Sequence, residues 1–215
     1  TGSGGTNDDE WIELYNPTSQ AISLSSWSIQ YRGSQAQNYS KKNFIATSSI
    51  PALGFFLIAN SGYTGGPPAD ISHNSFQLSS TGGTIFLVDN QTLLENATSS
   101  AIIDKISYGT GTYLFPEGEV FASAPSLSQS LERKANATST AQSLATGSDK
   151  WQGNGYDTDN NSQDFVLQDS PTPQNSYSLT EPRSSLPTLA TDSAWPMKQR
   201  NPKRQALIDV SGLTS

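Results

Sequence analysis

The sequence predicts an all-β fold: an antiparallel sandwich or barrel, followed by an extended tail that ends in one more strand. Three observations predict it. Apolar and polar residues alternate with a period of two in short runs along most of the chain. Asn-Pro, Gly-Gly, Pro-Pro and Asp-Asn pairs punctuate those runs as turns. No stretch carries a helical repeat for more than a turn or two, so the crossover helices of a parallel sheet are not on hand.

The first run, Glu10 to Tyr15, sets Trp11, Glu13 and Tyr15 on one face and Ile12 and Leu14 on the other. Asn16-Pro17 turns the chain, and Ala21 to Ile29 alternates again through Ile22, Leu24, Trp27 and Ile29. A third run at Phe44–Ile45 breaks at Pro51, and Phe55 to Ala59 reads as an apolar strand. Residues 60–76, with Gly-Gly and Pro-Pro inside, read as a loop. "FQLSS" is a short strand, and Thr84–Val88 a buried one closed by Asp89-Asn90. Ile102 to Tyr108 alternates, and "SLSQSLERK" and "QDFVLQDSPTPQNS" supply the last two strands of the body. The aromatics on these patterns (Trp11, Trp27, Phe55, Phe56, Phe86 and Phe165) are expected in the core.

Composition narrows the function classes. The 215 residues are 33% hydrophobic and only 14% charged, the balance being made up by Ser, Thr, Asn, Gln and Gly. That mixture fits an extracellular β-protein, and it sets the expected location outside the cell or on its surface. A net charge of -7 argues against a non-specific grip on nucleic acid. No apolar run approaches a membrane span in length, so no insertion is expected. With no cysteine, disulfides, thiolate metal sites and a cysteine nucleophile are excluded together. The one histidine, His73, falls in the Gly/Pro-rich loop and reads as a solvent-facing polar residue; no Ser-His-Asp or multi-histidine constellation can be assembled around it. No enzyme and no cofactor are expected, and catalytic residues none.

One segment could take an ion. In "GYDTDNNSQDF", Asp157, Asp159, Asn161 and Asp164 bring together the carboxylate and amide oxygens that Ca²⁺ requires. The glycine and closing glutamate of an EF-hand are missing. The competing reading is turn chemistry, with these side chains capping backbone N–H groups.

The order of the pieces adds a family resemblance. "DEWIELYNPTSQAISLSSWSI", "IPALGFFLIAN", "LSSTGGTIFLVD", "IIDKISYG", "SLSQSLERK" and "DFVLQDSPTPQNS" together resemble the lamin tail domain, in its version from bacterial surface and secreted proteins. The match runs from about Asp9 to Ser176, with residues 109–126 and 135–151 looking like insertions. The resemblance implies an immunoglobulin-like β-sandwich. In the family a strand similar to "VVINEIAWMG" comes directly before the glycine-rich loop and the E-W-I-E-L strand, and it has no counterpart there in this sequence.

Its nearest likeness is the other terminus, "QALIDVSGLTS". The organisation expected is therefore a sandwich domain over 1–177, an extended Pro/Ser/Thr linker over 178–204 and a terminal strand over 205–215. In that strand Ala206, Ile208 and Val210 alternate with Leu207, Asp209 and Ser211, and Leu213 follows; Trp195 in the linker is a candidate anchor to a subunit surface. Three roles stay open: donation to a neighbouring copy as in β-augmentation, return to the same chain, or an unrelated tail. About 28 extended residues span ~80–90 Å at ~3.1 Å each, which reaches either destination. The expected function is a non-catalytic structural subunit of an extracellular filament, self-associating head to tail. The alternative is a binding or adhesion module for a surface protein, a glycan or a calcium-dependent surface.

Overall fold

In the computed structural model, residues 2–3 and 9–182 are described; the linker, Trp195 and the terminal strand expected at 205–215 lie outside the described residues. The strands, in chain order, are β1 (Gly2–Ser3), β2 (Glu10–Tyr15), β3 (Ile22–Ser23), β4 (Ser28–Gly33), β5 (Ser40–Asn43), β6 (Ser49–Ile50), β7 (Phe55–Asn60), β8 (Ile71–His73), β9 (Gly82–Val88), β10 (Ile102–Gly109), β11 (Ser130–Arg133) and β12 (Phe165–Gln168). Two single-turn helices, α1 (Ala141–Ala145) and α2 (Asn161–Asp164), lie between the last two strands.

The strands form a six-stranded sheet in the order β12-β11-β1-β2-β7-β8, a four-stranded sheet β10-β9-β4-β5, and a small β3-β6 ribbon. All named pairs are antiparallel except β7 with β8. Alternation decides what fills the space between the large sheets: Ile12, Phe56, Ile58, Leu131 and Phe165 point inward from one, Ile29, Tyr31 and Ile85 from the other. Phe86 and Val88 sit on the opposite face of β9 and are buried with Tyr39 and Leu94. The residue 90–94 loop covers them, pinned by the fully buried Gln30, whose amide donates to the Thr92 carbonyl and whose oxygen accepts from Leu94 N–H. A strand covered on both faces reads as a continuous apolar run, as "TIFLV" does.

The expected strands at Glu10–Tyr15, Phe55–Ala59, Thr84–Val88 and Ile102–Tyr108 are present within a residue or two. The run from Ala21 to Ile29 is instead two strands, because Leu24 N–H turns to the Ser48 carbonyl and Trp27 N–H back to Leu24. Ile45 is exposed and outside any strand; the pairing falls on either side of it, in β5 and β6. "FQLSS" forms no strand, since Leu78 N–H goes to Glu10 Oε2 and Ser79 N–H to the Tyr31 hydroxyl. β8 emerges instead from the stretch read as loop. It also corrects the reading of His73, which is buried, its ring 4.3 Å from that of Phe76 and its Nδ1 accepting from Ser75 N–H.

The compact body continues to Pro182, five residues past the expected boundary. Ser176 and Leu57 N–H groups share the Asp70 carboxylate, and Glu181, buried against Leu53, receives a bond at its backbone carbonyl from the Tyr15 hydroxyl. Residues 174–181 thereby cover the outer face of β2.

Candidate functional site

The strand Glu10–Tyr15 has one complete neighbour. Along β7 it pairs over its length, from Trp11↔Ala59 to Tyr15↔Phe55. On its other side β1 matches only Gly2↔Trp11 and Ser3↔Glu10, while Gly2 also faces Ser130 of β11. Two strand spacings therefore separate β2 from β11, about 9–10 Å.

That gap opens the sandwich core. It is a cleft of about 330 Å³, walled by Ile12, Leu14 and Tyr15 on one side and Leu131 to Arg133 on the other, with Ile29, Ile85, Leu87 and Ile106 at its floor. Burial along it is graded. Ile12 and Leu131, next to β1, are buried, whereas Leu14, Ile22, Trp27, Leu87 and Ile106 pack on the core yet stay partly exposed. Lys150, Trp151 and Pro171 line the mouth, with the Lys150 ammonium 4.5 Å over the Trp151 ring.

The outward side of the groove is acidic. Glu13 accepts a hydrogen bond from Gln174 N–H, and Glu132 accepts from Asn154 Nδ2 and Gln168 Nε2. Burial pushes the Glu13 carboxyl up to about 8, outweighing the Gln174 bond; Glu132 and Glu181 nearby push the same way. Beneath it, Arg133 stacks 4.6 Å over Phe165 and holds Asp104 at 2.8 Å and Asp157 at 3.0 Å.

The candidate ion ligands divide. Asp164 is fully buried and accepts from Thr158 N–H, Thr158 Oγ1 and Asn160 N–H; although burial opposes it, these bonds hold its carboxyl below the usual range. Asn161 takes Ser107 N–H on its oxygen and donates to the Lys105 carbonyl, tying α2 to β10. Asp157 and Asp159 lie with Glu117, a residue sequence reading passed over, their carboxylate oxygens within 4.8 Å of one another. Asp157 Oδ1 is already shared by the Arg133 guanidinium and Asp159 N–H, so the positive charge there comes from the protein. Burial together with Asp104 and Asp157 lifts Glu117 to about 7.

Sequence reading expected no strand in front of Glu10–Tyr15; the structure pairs Gly2–Ser3 of β1 with it, and the neighbour on the far side of β1, β11, was also missed. "SLER" gives no local sign that it will stand one strand away from "EWIELY". Glu13 and Glu132 looked like ordinary strand polars.

Two sheets packed face to face, with a buried aromatic and aliphatic core and short connections, define an immunoglobulin-like module. The Lamin Tail Domain family model matches residues 1–110, and the chain belongs to that family. No curated protein matches the chain.

Proposed function

We propose that this chain is a non-catalytic structural subunit of an extracellular assembly, in which the groove between β2 and β11 accepts an extended strand donated by residues 206–213 of a neighbouring copy. One observation carries the reading: an apolar cleft of about 330 Å³ lies between β2 and β11. A cleft between two strands of a sandwich is a place that β-augmentation can use.

The donor is supported by its pattern. Ala206, Ile208 and Val210 recur at alternate positions, as a strand with one face in a core requires. Burying two such side chains contributes about 3–6 kcal/mol before the cost of ordering the tail. Acceptor groove and donor strand are different surfaces, so each contact leaves one of each free and the assembly extends head to tail. Trp195 would brace the incoming linker on the subunit surface.

The non-catalytic reading is supported by the family and by the apolar lining of the groove. The low charge and the wealth of Ser, Thr, Asn and Gln support an exported, surface location, in keeping with the bacterial surface proteins that the sequence resembles. No helix among the described residues is long and apolar enough to cross a membrane.

The test compares the full chain with one lacking residues 205–215, by light scattering and negative-stain images. The full chain is expected to form oligomers that lengthen with concentration, and the shortened chain to be a monomer. Two monomers of equal stability would overturn the reading and turn the search to a binding module.

A further inference from the structure

The parallel pair β7 and β8 lies at the opposite edge of the six-stranded sheet from β11 and β12, and it ends beside a small depression. Both strands stop together, with Asn60 opposite His73. Asn60, Ser61 and Gly62 line the depression from the β7 side, and Asn74, Phe76 and Gln77 from the β8 side. Its volume is about 640 Å³, within the range of small-molecule sites. Among the described residues, no charged side chain lines it.

The local backbone fixes the polar groups there. Asn60 is only 8% exposed, and Gly62 N–H donates to its Oδ1 at 3.1 Å. That bond sets the orientation of the amide, because the Gly62 donor needs an oxygen. The Asn60 NH2 group is left without an acceptor among the described residues, yet it is not sealed from solvent. A nearly buried amide with an idle donor is costly unless something outside the chain satisfies it. Ser61 N–H donates to the His73 carbonyl at 2.9 Å, which ties the two strand ends together. Ser61 Oγ donates to Asn74 Oδ1, so Asn74 also keeps its NH2 uncommitted, and the exposed Gln77 offers both an oxygen and an NH2. Phe76 supplies the apolar part, its ring held 4.3 Å from that of His73 and 5.5 Å from that of Tyr31. Burial keeps His73 uncharged above about pH 4.

Uncharged amides that donate and accept, set beside an aromatic ring, match the hydroxyl groups and the C–H face of a sugar. An anion finds no cation in the described lining and meets a chain of net charge -7. A cation finds no carboxylate there. We propose that the depression at the ends of β7 and β8 binds a neutral saccharide, with the Asn60, Asn74 and Gln77 amides on its hydroxyl or acetamido groups and Phe76 against a ring C–H face. The site shares no lining residue with the β2–β11 cleft, so it stands or falls apart from the assembly reading.

Side-chain NH2 groups give their own signals in nitrogen-15 NMR spectra, which makes the site directly observable. The full chain is titrated into the millimolar range with glucose, galactose, mannose, N-acetylglucosamine, cellobiose and chitobiose. Glucuronate serves as the charged control, and a peptide of alternating valine and threonine as the strand control. At least one neutral sugar is expected to shift the NH2 signals of Asn60, Asn74 and Gln77 and the Gly62 amide saturably, and glucuronate to shift them less. Gln77→Ala removes an exposed side chain and should weaken that sugar about fivefold, the worth of one neutral hydrogen bond. No shift at these groups with any of the sugars overturns the proposal, as does binding that Gln77→Ala leaves unchanged. Tighter binding of glucuronate overturns the neutral class. Shifts of the Ile71–His73 amides with the peptide, and none with a sugar, also overturn it and reassign the place as an open strand edge.

Discussion

The Tyr15 hydroxyl donates a 2.5 Å hydrogen bond to the backbone carbonyl of Glu181, across 166 residues of sequence. The bond joins the strand that borders the groove to the last turn of the body, and Gly153 N–H closes the same corner on Glu181 Oε2. Tyr15→Phe keeps the ring contact with Phe55, whose centroid is 5.1 Å away, and removes only the bond. The expected loss is about 1 kcal/mol of unfolding free energy. Hydrogen exchange at residues 174–182 should quicken more than at β7.

Glu13 makes stability depend on pH between about 4.5 and 8. Its folded pKa, about 8, lies above the ordinary 4.5, so the folded state holds a proton that the unfolded state has given up. Its contribution is full below about 4.5 and is lost as pH rises through 8. Glu13→Gln keeps an oxygen for Gln174 N–H and removes the ionisation; denaturation at pH 8.5 should show the variant about 2–4 kcal/mol more stable than the native chain, allowing for partial exposure. At pH 4.5 the two should match.

His73 acts in the opposite direction at acid pH. Desolvation, with a smaller push from Lys42, lowers its pKa from 6.5 to about 4. The stabilisation is present above 6.5 and is lost as pH falls toward 4. In His73→Asn the amide oxygen can take over the bond from Ser75, and the melting temperature of that variant should fall less between pH 7 and pH 4 than the native one.

Arg133 supports the groove's second wall. Removing it leaves Asp104 and Asp157 uncompensated beneath the cleft, and Asp104 is already raised by burial. Arg133→Met should cost about 1–3 kcal/mol by chemical denaturation, since the guanidinium is buried but Asp104 and Asp157 are 41% and 48% exposed and water screens the charges left behind. Arg133→Lys restores charge but not the fork on Asp104, and should fall between.

Much of the sandwich was legible: burial on one face writes itself as alternation, as in β2 and β10, and burial on both faces as a continuous apolar run, as in β7 and β9. Where polar groups enter the core or a strand pairs across a loop, the signal fails. Gln30 is fully buried within β4 although glutamine breaks the apolar pattern, and β8 lies within the Gly/Pro-rich stretch because it pairs in parallel with β7 across a loop. That a strand belongs beside β2 could be read from the order of family motifs, and Gly2–Ser3 of β1 stand in that place. The neighbour on the far side, β11, comes from residues 130–133, and only tertiary packing brings it beside β1. Calcium and backbone caps call for the same oxygens, so the sequence left both readings open for Asp164 and Asn161; in the structure their oxygens accept from Thr158, Asn160 and Ser107 N–H groups.

The most direct measurement is hydrogen exchange at the amides of Ile12–Tyr15 and Leu131–Arg133 in a chain lacking residues 205–215, with and without a synthetic peptide of that sequence. The account predicts that saturating peptide slows exchange on both walls of the groove while β4 and β9 stay unchanged. Exchange on those walls that is indifferent to the peptide at any concentration would contradict it.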